Sequence, residues 1–536
     1  MPSGMVRPKY GVYVSRTLIG KTYYDSISNI GLRPTVNHTD PQPMVETYIF
    51  DRKIELYETY IEVELLHFLR PEVRFPSFIA MSKQMEDDVA EAQEWHMNSS
   101  DIYLYSQVND IPMYLSRSDR YNTSYLRMEF YLPLDKVRSS EYALLANVIT
   151  AVSNEYPTRP ELKRFLDDHY GTKIHIDYAA INNMQKLSFT LSSVHTGMDG
   201  THPFEESYDL LLDMILHPAR NEAGDFLPQI FETEKQNHMM HVRAKENISA
   251  SRIYRNAMAY LSPDGNQWVD PMGNYDVLSE ITQEDLKEAW LRLITESQMR
   301  VFVGGKMEDT RLADRILNRL EAFPRRSDSV WLIPGKFPEI MHFGKPRKMQ
   351  EKLPIEKAQL ILFFNNLPPY TSMECVTARI LNNILGQDHR GLLSQGILED
   401  LGQAYVVESR YDAFLQCISL SVELEDVDAK DVYESIMAHL SQIRDGKLDD
   451  AVFRSAMRAN HNRLLQIRDD RSLSLDLNSL ELLSGRKFIG ENADYFASSV
   501  EKDKVLELAK KLELQLAYLA LPENSSVSLW EVEDHA

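Results

Sequence analysis

Two distant stretches of the chain repeat one arrangement of apolar and polar positions. In the first, Phe165-Leu-Asp-Asp-His-Tyr-Gly171 is followed by Leu187-Ser-Phe-Thr-Leu191. In the second, Ile397-Leu-Glu-Asp-Leu-Gly402 is followed by Ile418-Ser-Leu-Ser-Val422. Ile418, Leu420 and Val422 recur at every second position, the period of a strand with one face in a core. Gly171 and Gly402 predict helix C-termini, because glycine enters the left-handed region without steric penalty. The two glycines and the two strand starts keep the same offset, so residues 98–536 read as an internal duplication. Each copy predicts a helix, a second helix ending at the glycine, a strand pair, then two more helices. Asp209–Leu216 and Tyr433–Leu440 supply an apolar helix at corresponding places. Between the copies, residues 323–347 are rich in proline, glycine and basic residues and read as a linker, which divides this part into α+β domains at 98–322 and 348–536.

Residues 1–97 break from that pattern. Gly11-Val-Tyr-Val-Ser, Tyr23-Tyr24, Val45-Glu-Thr-Tyr-Ile-Phe and Ile61-Glu-Val-Glu-Leu-Leu are short β-type runs between turns. A helix follows from about Phe78 to Trp95, with Met81, Met85, Val89 and Ala92 on one side. The pattern predicts a small β-barrel closed by a terminal helix.

Composition narrows the function. At 536 residues the chain calls for three or four domains, and 43% hydrophobic with 26% charged residues is globular composition. A net charge of −22 excludes a nucleic-acid binder or a protein held on anionic membranes, and suits a basic or neutral peptide partner. Cys375 and Cys417 are the only cysteines, too few for a disulfide framework or a thiolate metal site. The start of the chain has no apolar signal core and no run of 18 apolar residues occurs, so a cytoplasmic location is expected.

The candidate chemistry of the duplicated region is defined by loss. In layout, Ser139 to Gly171 resembles the zinc-binding helix of the pitrilysin/insulinase-type metallopeptidases. That helix carries His-x-x-Glu-His, two imidazoles at i and i+4 with a general-base carboxylate between them. Here the five positions read Asn147, Val148, Ile149, Thr150 and Ala151. An amide is a poor zinc ligand, a hydroxyl is no general base near neutral pH, and alanine has no donor. The family's third ligand follows a helix glutamate by seven residues; in Glu234-Lys-Gln-Asn-His-Met-Met-His241 that place falls on His241. In the second copy the family's arginine is absent, Leu398-Glu399 standing ahead of Gln403-Ala404-Tyr405, while Tyr405, which the resemblance implies holds substrate backbone, remains. The resemblance implies two α+β domains facing each other as a clamshell around a peptide chamber, with no zinc in this chain. Glu234, His238 and His241, at i, i+4 and i+7, could instead form a different zinc site; beside Lys235 and Arg243 they read better as a solvated helix face.

The first 97 residues carry a second resemblance. Gly11-Val-Tyr, Asn29-Ile-Gly-Leu-Arg-Pro-Thr35, Val45-Glu46-Thr-Tyr-Ile-Phe-Asp51, Leu56-Tyr57 and His67-Phe-Leu-Arg70-Pro-Glu72-x-x-Phe75 occur in order. Together they resemble the riboflavin kinase domain of bacterial flavokinase/FAD synthetases. That implies Glu46 as the base that takes the proton from the ribityl hydroxyl, and Arg70 on the flavin side. The family's Pro-Thr-Ala-Asn loop, which binds Mg²⁺ and nucleotide phosphate, should precede Gly11, and the ten residues there do not supply it. No cofactor is expected; riboflavin or FMN, ATP and Mg²⁺ would enter only if this domain functions.

The leading expectation is a non-catalytic, peptide-binding subunit that pairs with a homologous zinc-bearing chain and contributes substrate orientation rather than chemistry. The alternatives are a riboflavin kinase or flavin binder acting through residues 1–97, and a peptide-binding scaffold without an enzyme partner.

Overall fold

The computed structural model describes residues 8–20, 22–32, 43–50, 56–57, 59–73, 75–98, 102–118, 121–181, 183–246, 249–261, 269–306, 310–324, 345–372, 374–387, 391–484 and 500–530. Most of the 323–347 linker and residues 33–35 of the Asn29 signature lie outside the described residues, as does Asp51.

The N-terminal unit is an antiparallel sheet of β1 (Gly11–Ile19), β2 (Thr22–Leu32), β3 (Pro43–Ile49) and β4 (Ile61–Pro71), in the order β3-β2-β1-β4, with α1 (Phe78–Asn98) packed on it. The β-rich unit with a terminal helix that the sequence predicts is present, with four antiparallel strands among the described residues. Val12, Val14 and Ile27 on one face meet Phe50, just after β3, and Val89, Ala92 and Trp95 of α1. The other face buries hydroxyls that satisfy one another: Ser15 with Ser26 at 2.9 Å and Ser28 at 2.8 Å, and Ser28 with Thr47 at 2.8 Å.

Two further sheets share one plan. The first contains β5 (Tyr103–Val108), β6 (Ile111–Arg117), β7 (Thr123–Pro133), β8 (Lys173–Ile181), β9 (Met184–Val194) and β10 (Gln298–Gly305), in the order β5-β6-β10-β7-β9-β8. The second contains β11 (Arg347–Leu353), β12 (Ala358–Asn365), β13 (Ala404–Asp412), β14 (Cys417–Leu424) and β15 (Glu513–Pro522), in the order β11-β15-β12-β14-β13. In each, one parallel pair (β6 with β10, β11 with β15) is followed by antiparallel neighbours in the same succession. The helices correspond too. α2 (Lys136–Ala151), α3 (Arg159–Asp168), α4 (Pro203–Leu216) and α5 (Pro228–Glu246) in the first copy match α10 (Cys375–Asn382), a wide helical turn at Ser394–Leu401, α11 (Ala429–Arg444) and α12 (Asp450–Asp469) in the second. α6 (Ser249–Leu261), α7 (Tyr275–Glu280), α8 (Gln283–Glu296), α9 (Arg311–Leu320), α13 (Arg471–Ser484) and α14 (Lys502–Lys511) are the other described α-helices. Gly171 and Gly402 have φ of 69° and 63°, the left-handed backbone expected of them.

What the duplicated plan does not convey is an exchange of helices between halves. Leu360, Leu362 and Phe364 of β12 face their own helices, whereas Ile361 and Phe363 are covered by Ile253, Ala257 and Met258 of α6, which comes from the first half. Reciprocally, α13 from the second half lies on the first sheet: Leu475 packs with Tyr125 and Phe302, and Leu483 with Tyr131 and Ile181. Burial on both faces explains the unbroken apolar run of β12. It also puts charges inside. Arg127 and Glu129 of β7 are 2% and 0% exposed, which the alternation of β7 alone would have left on a solvent face. Arg127 pairs with Asp476 of α13 at 2.5 Å, Lys186 reaches Glu129 at 3.5 Å, and Ser479 of α13 and Tyr131 each donate to Glu129 at 2.6 Å.

The N-terminal unit is joined to the first sheet by buried charge. Asp25 of β2 lies 3.3 Å from His96 Nδ1 and 3.7 Å from Arg16 Nε, and the Arg16 guanidinium stacks 3.6 Å over the ring of Tyr103 on β5. The unit thereby covers the β5 edge of the first sheet. At the second sheet the β11 edge is covered by the chain's own tail, with Gln350 accepting from Leu529 N at 3.0 Å and Lys352 donating to Ser525 O at 2.6 Å. Among the described residues no strand pairs with the opposite edges, β8 and β13.

Candidate functional site

The helix α2 that carries Asn147 begins at Asp135, whose carboxylate accepts from Val137 N and Arg138 N and so satisfies two of the amides left over at a helix start. α3 starts with a reciprocal Thr158–Glu161 capping box. α2 is buried along most of its length, which leaves its last turn, Asn147 to Ala151, facing the inner end of β8 and α5.

There Asn147 is the centre of a neutral hydrogen-bond network. Its Nδ2 lies 2.9 Å from Ala143 O, 2.8 Å from Tyr178 Oη and 3.1 Å from His238 Nδ1. His238 Nε2 is 2.7 Å from Met272 O, a carbonyl that can only accept, so the proton sits on Nε2 and Nδ1 accepts from the amide. Burial pushes the His238 pKa down against the Met272 hydrogen bond, and burial pushes the Tyr178 phenol up, so both stay uncharged near neutral pH. Thr150 returns its hydroxyl to Ala146 O at 2.7 Å. Glu234, 7% exposed, is ion-paired with Arg159 of α3.

Asn147, Thr150, Ala151 and Glu234 together line a cleft of about 820 Å³ with α3 and with Lys173, Ile174 and His175 of β8. His241 does not join them. It is exposed, just beyond the buried stripe of Phe231, Glu234, His238 and Val242, so Glu234, His238 and His241 do not present a common donor face. Among the described residues no three His, Cys, Asp or Glu side chains converge as metal donors. The donors at the cleft do not fit zinc: an amide, a hydroxyl and a methyl replace ligands and base, His238 has both nitrogens engaged, and Glu234 neutralises an arginine.

The network depends on a close approach. Gly273, at φ 94°, follows Met272, and a Cβ there would stand 2.8 Å from Ser140 Cα. Gly273→Ala is expected to cost about 1–3 kcal/mol in backbone strain and more from displacing this loop off α2. At Gly171, φ 69° with open space around it, the same change should cost only the strain. Thermal melts of the two variants test this; equal losses would remove the close approach as the constraint.

On the second sheet, Tyr405 of the β13 edge is 53% exposed. It donates to Glu425 at 2.6 Å, accepts from Lys357 at 3.0 Å, and Lys357 lies 4.5 Å from its ring centre. The alternating run Ile418 to Val422 lies in β14 between β12 and β13 and has no open edge. The adjoining strand, β13, has it. Sequence reasoning also missed Tyr178 and Met272, which only the packing of β8 and the 270–274 loop brings to α2. The side chains of Leu398 and Glu399 lie outside the described residues.

In the N-terminal unit Glu46 is exposed on β3. Arg70 forms a two-pronged pair with Asp88 of α1, at 2.7 and 2.5 Å, and its third donor goes to Pro71 O at 3.1 Å. Arg70 is thus held by α1, and Glu46 stands on a separate strand of the sheet. Among the described residues no helix is long and apolar enough to cross a membrane.

Taken together, the duplicated sheets and the helix end against β8 form a two-sheet α+β fold whose cleft brings together no set of zinc donors among the described residues. The comparisons agree. Residues 1–96 match the riboflavin kinase (flavokinase) family and residues 280–460 the peptidase M16 inactive domain. The probable inactive metalloprotease YmfF of Bacillus subtilis is 19% identical over 428 residues, 77% of this chain and 96% of that protein. A bifunctional riboflavin kinase/FMN adenylyltransferase of Buchnera aphidicola is 37% identical over 73 residues, 14% of this chain and 23% of that enzyme, so the chain spans about a quarter of that relative. A conserved protein from Enterococcus faecalis has the same fold over 80% of this chain and 100% of its own, with a TM-score of 0.72 at 20% identity. The chain thus carries a match to the riboflavin kinase family at its N-terminus and, in residues 280–460, a match to the peptidase M16 inactive domain.

Proposed function

We propose that this protein is the peptide-binding, non-catalytic member of a peptidase pair, its partner a homologous chain with an intact His-x-x-Glu-His. The observation that carries this reading is the treatment of the sheet edges. An unpaired edge is a hazard that proteins cover or charge. Here the β5 edge is covered by the N-terminal unit and the β11 edge by the C-terminal tail, while β8 and β13 carry no further strand among the described residues. The ends of both open edges, Tyr178–Ala180 on β8 and Arg410 with Asp412 on β13, line one cavity between the halves. Extended peptides add to such edges, gaining main-chain hydrogen bonds. A chamber of this kind raises a partner's rate by orienting substrate, with no chemistry of its own. In this reading Tyr405 and Val406, 53% and 43% exposed on β13, contact the substrate.

Co-expression with a zinc-bearing homologue tests the proposal. The pair should elute as one species on size exclusion and cleave a peptide that neither chain cleaves alone. Tyr405→Ala should lower cleavage by the pair roughly tenfold, the order of one or two lost contacts, with association unchanged. Absence of a complex, or full activity of the partner alone, would refute it.

A further inference from the structure

We propose that the cavity between the two halves, at the end of β8, recognises acidic side chains of the bound peptide. This rests on the peptide-binding reading above and adds the substrate class. The cavity, of about 420 Å³, is lined by Lys245, Arg252, Arg255 and Arg410 against only two carboxylates, Asp270 and Asp412. An excess of cations is unexpected in a chain of net charge −22, whose overall field suits a basic or neutral partner. The local lining reverses that expectation where a peptide on β8 would end.

The carboxylates present do not use up the cations. Asp270 is matched by Lys245 at 2.6 Å. Asp412 accepts from the backbone N–H of Phe414 and of Leu415, each at 2.9 Å, which fixes the turn after β13. Arg252 Nε is buried and meets no acceptor among the described residues. A buried donor without a partner is unfavourable, and an ionised guanidinium is best satisfied by a planar carboxylate that takes two parallel hydrogen bonds. Arg252 starts from α6, the helix lent to the second half, and Arg410 belongs to β13, so the two approach from both sides of the cavity. A glutamate or aspartate on a strand annealed to β8 would enter between them. The backbone of that strand would run from the cleft at Asn147 and His175, at one end of β8, to this cavity at the other.

The test uses the full chain and three fluorescein-labelled, C-terminally amidated decapeptides, uncharged except for a pair of residues near one end: Glu-Glu, Gln-Gln or Lys-Lys. Amidation removes the terminal carboxylate as a second source of the same chemistry. Fluorescence anisotropy should give the Glu-Glu peptide an affinity about tenfold above Gln-Gln, the scale of one charge-assisted hydrogen bond, with Lys-Lys weakest. Arg252→Met should erase the preference while leaving Gln-Gln binding as it was. Arg410→Gln, an exposed strand position that the fold does not need, should do the same if Arg252→Met compromises folding. Equal binding of the Glu-Glu and Gln-Gln peptides would overturn the acidic preference and leave peptide binding standing. Failure of all three peptides to bind would remove the peptide-binding reading itself, and this inference with it.

Discussion

Glu129→Ala should destabilise the folded chain by about 3–5 kcal/mol, the cost of stripping one member from a buried ionic cluster, and should release α13 from the first sheet. Glu129 is fully buried and is the shared acceptor of Lys186, Tyr131 and Ser479. Its removal leaves Lys186, 6% exposed, without its carboxylate. Asp476→Asn should cost much less, because the Asp476 side chain is 45% exposed and its pair with Arg127 is screened by water. A chain of several units need not unfold in one step. The decisive reading is therefore limited proteolysis within residues 471–484 alongside the melting midpoint. Wild-type protection of that helix in Glu129→Ala would end the idea that this cluster holds the exchange.

The same carboxylate sets a pH dependence. Burial opposes its ionisation, but Lys186, Arg127 and the two hydroxyls outweigh burial and hold its pKa below the ordinary value of 4.5. A carboxyl with a depressed folded-state pKa contributes stability that is complete above its unfolded value and is lost as pH falls through the folded one. The difference between wild type and Glu129→Ala should therefore be constant above about pH 5 and shrink below about pH 4.5. A difference that persists undiminished well below that window would contradict this assignment.

The purified chain is expected to retain no stoichiometric zinc and to show no chelator-sensitive peptide cleavage. Asn147, Thr150 and Ala151 supply neither ligands nor base, and Glu234 is held by Arg159. Rebuilding should then require both parts. Asn147→His, Thr150→Glu and Ala151→His together restore the helix motif; adding Arg159→Ala frees Glu234, which lines the same cleft, to complete the ligand set. Zinc content should rise to one per chain only in the fourfold variant, since a partial set leaves the ion without its tetrahedral shell. Metal analysis decides it. One tightly bound zinc in the wild-type chain would show that the neutral Asn147–His238–Tyr178 network has been misread.

The duplication could be read before folding because its signals are local. Period-two alternation at Ile418, Leu420 and Val422 and the glycines at 171 and 402 express backbone preferences of neighbouring residues, and the sheets and φ values follow them. The loss of the zinc centre was legible for a similar reason: whether an amide, a hydroxyl or a methyl can bind or activate anything is settled by side-chain chemistry. The edge assignment was not. The alternation of Ile418–Val422 carries no information on strand order; β13 takes the edge and β14 the interior, because order depends on which segments return to pair.

The burial of Arg127 and Glu129 shows that division most sharply. Along β7 they alternate with Leu126, Met128 and Phe130 and read as the solvent side of a half-buried strand. Only α13, arriving from the other half of the chain, makes that side an interior and demands counter-charges at Asp476 and Lys186. In the same way, nothing near His238 in sequence reveals that its two nitrogens are spent on Asn147 and Met272. The sequence by itself determined the elements, their repeat and the absent chemistry, since these depend on adjacent residues and intrinsic side-chain groups. The tertiary structure alone decided which edges stay open, which charges are enclosed and which cavity gathers cations, since each requires segments far apart in the chain to meet.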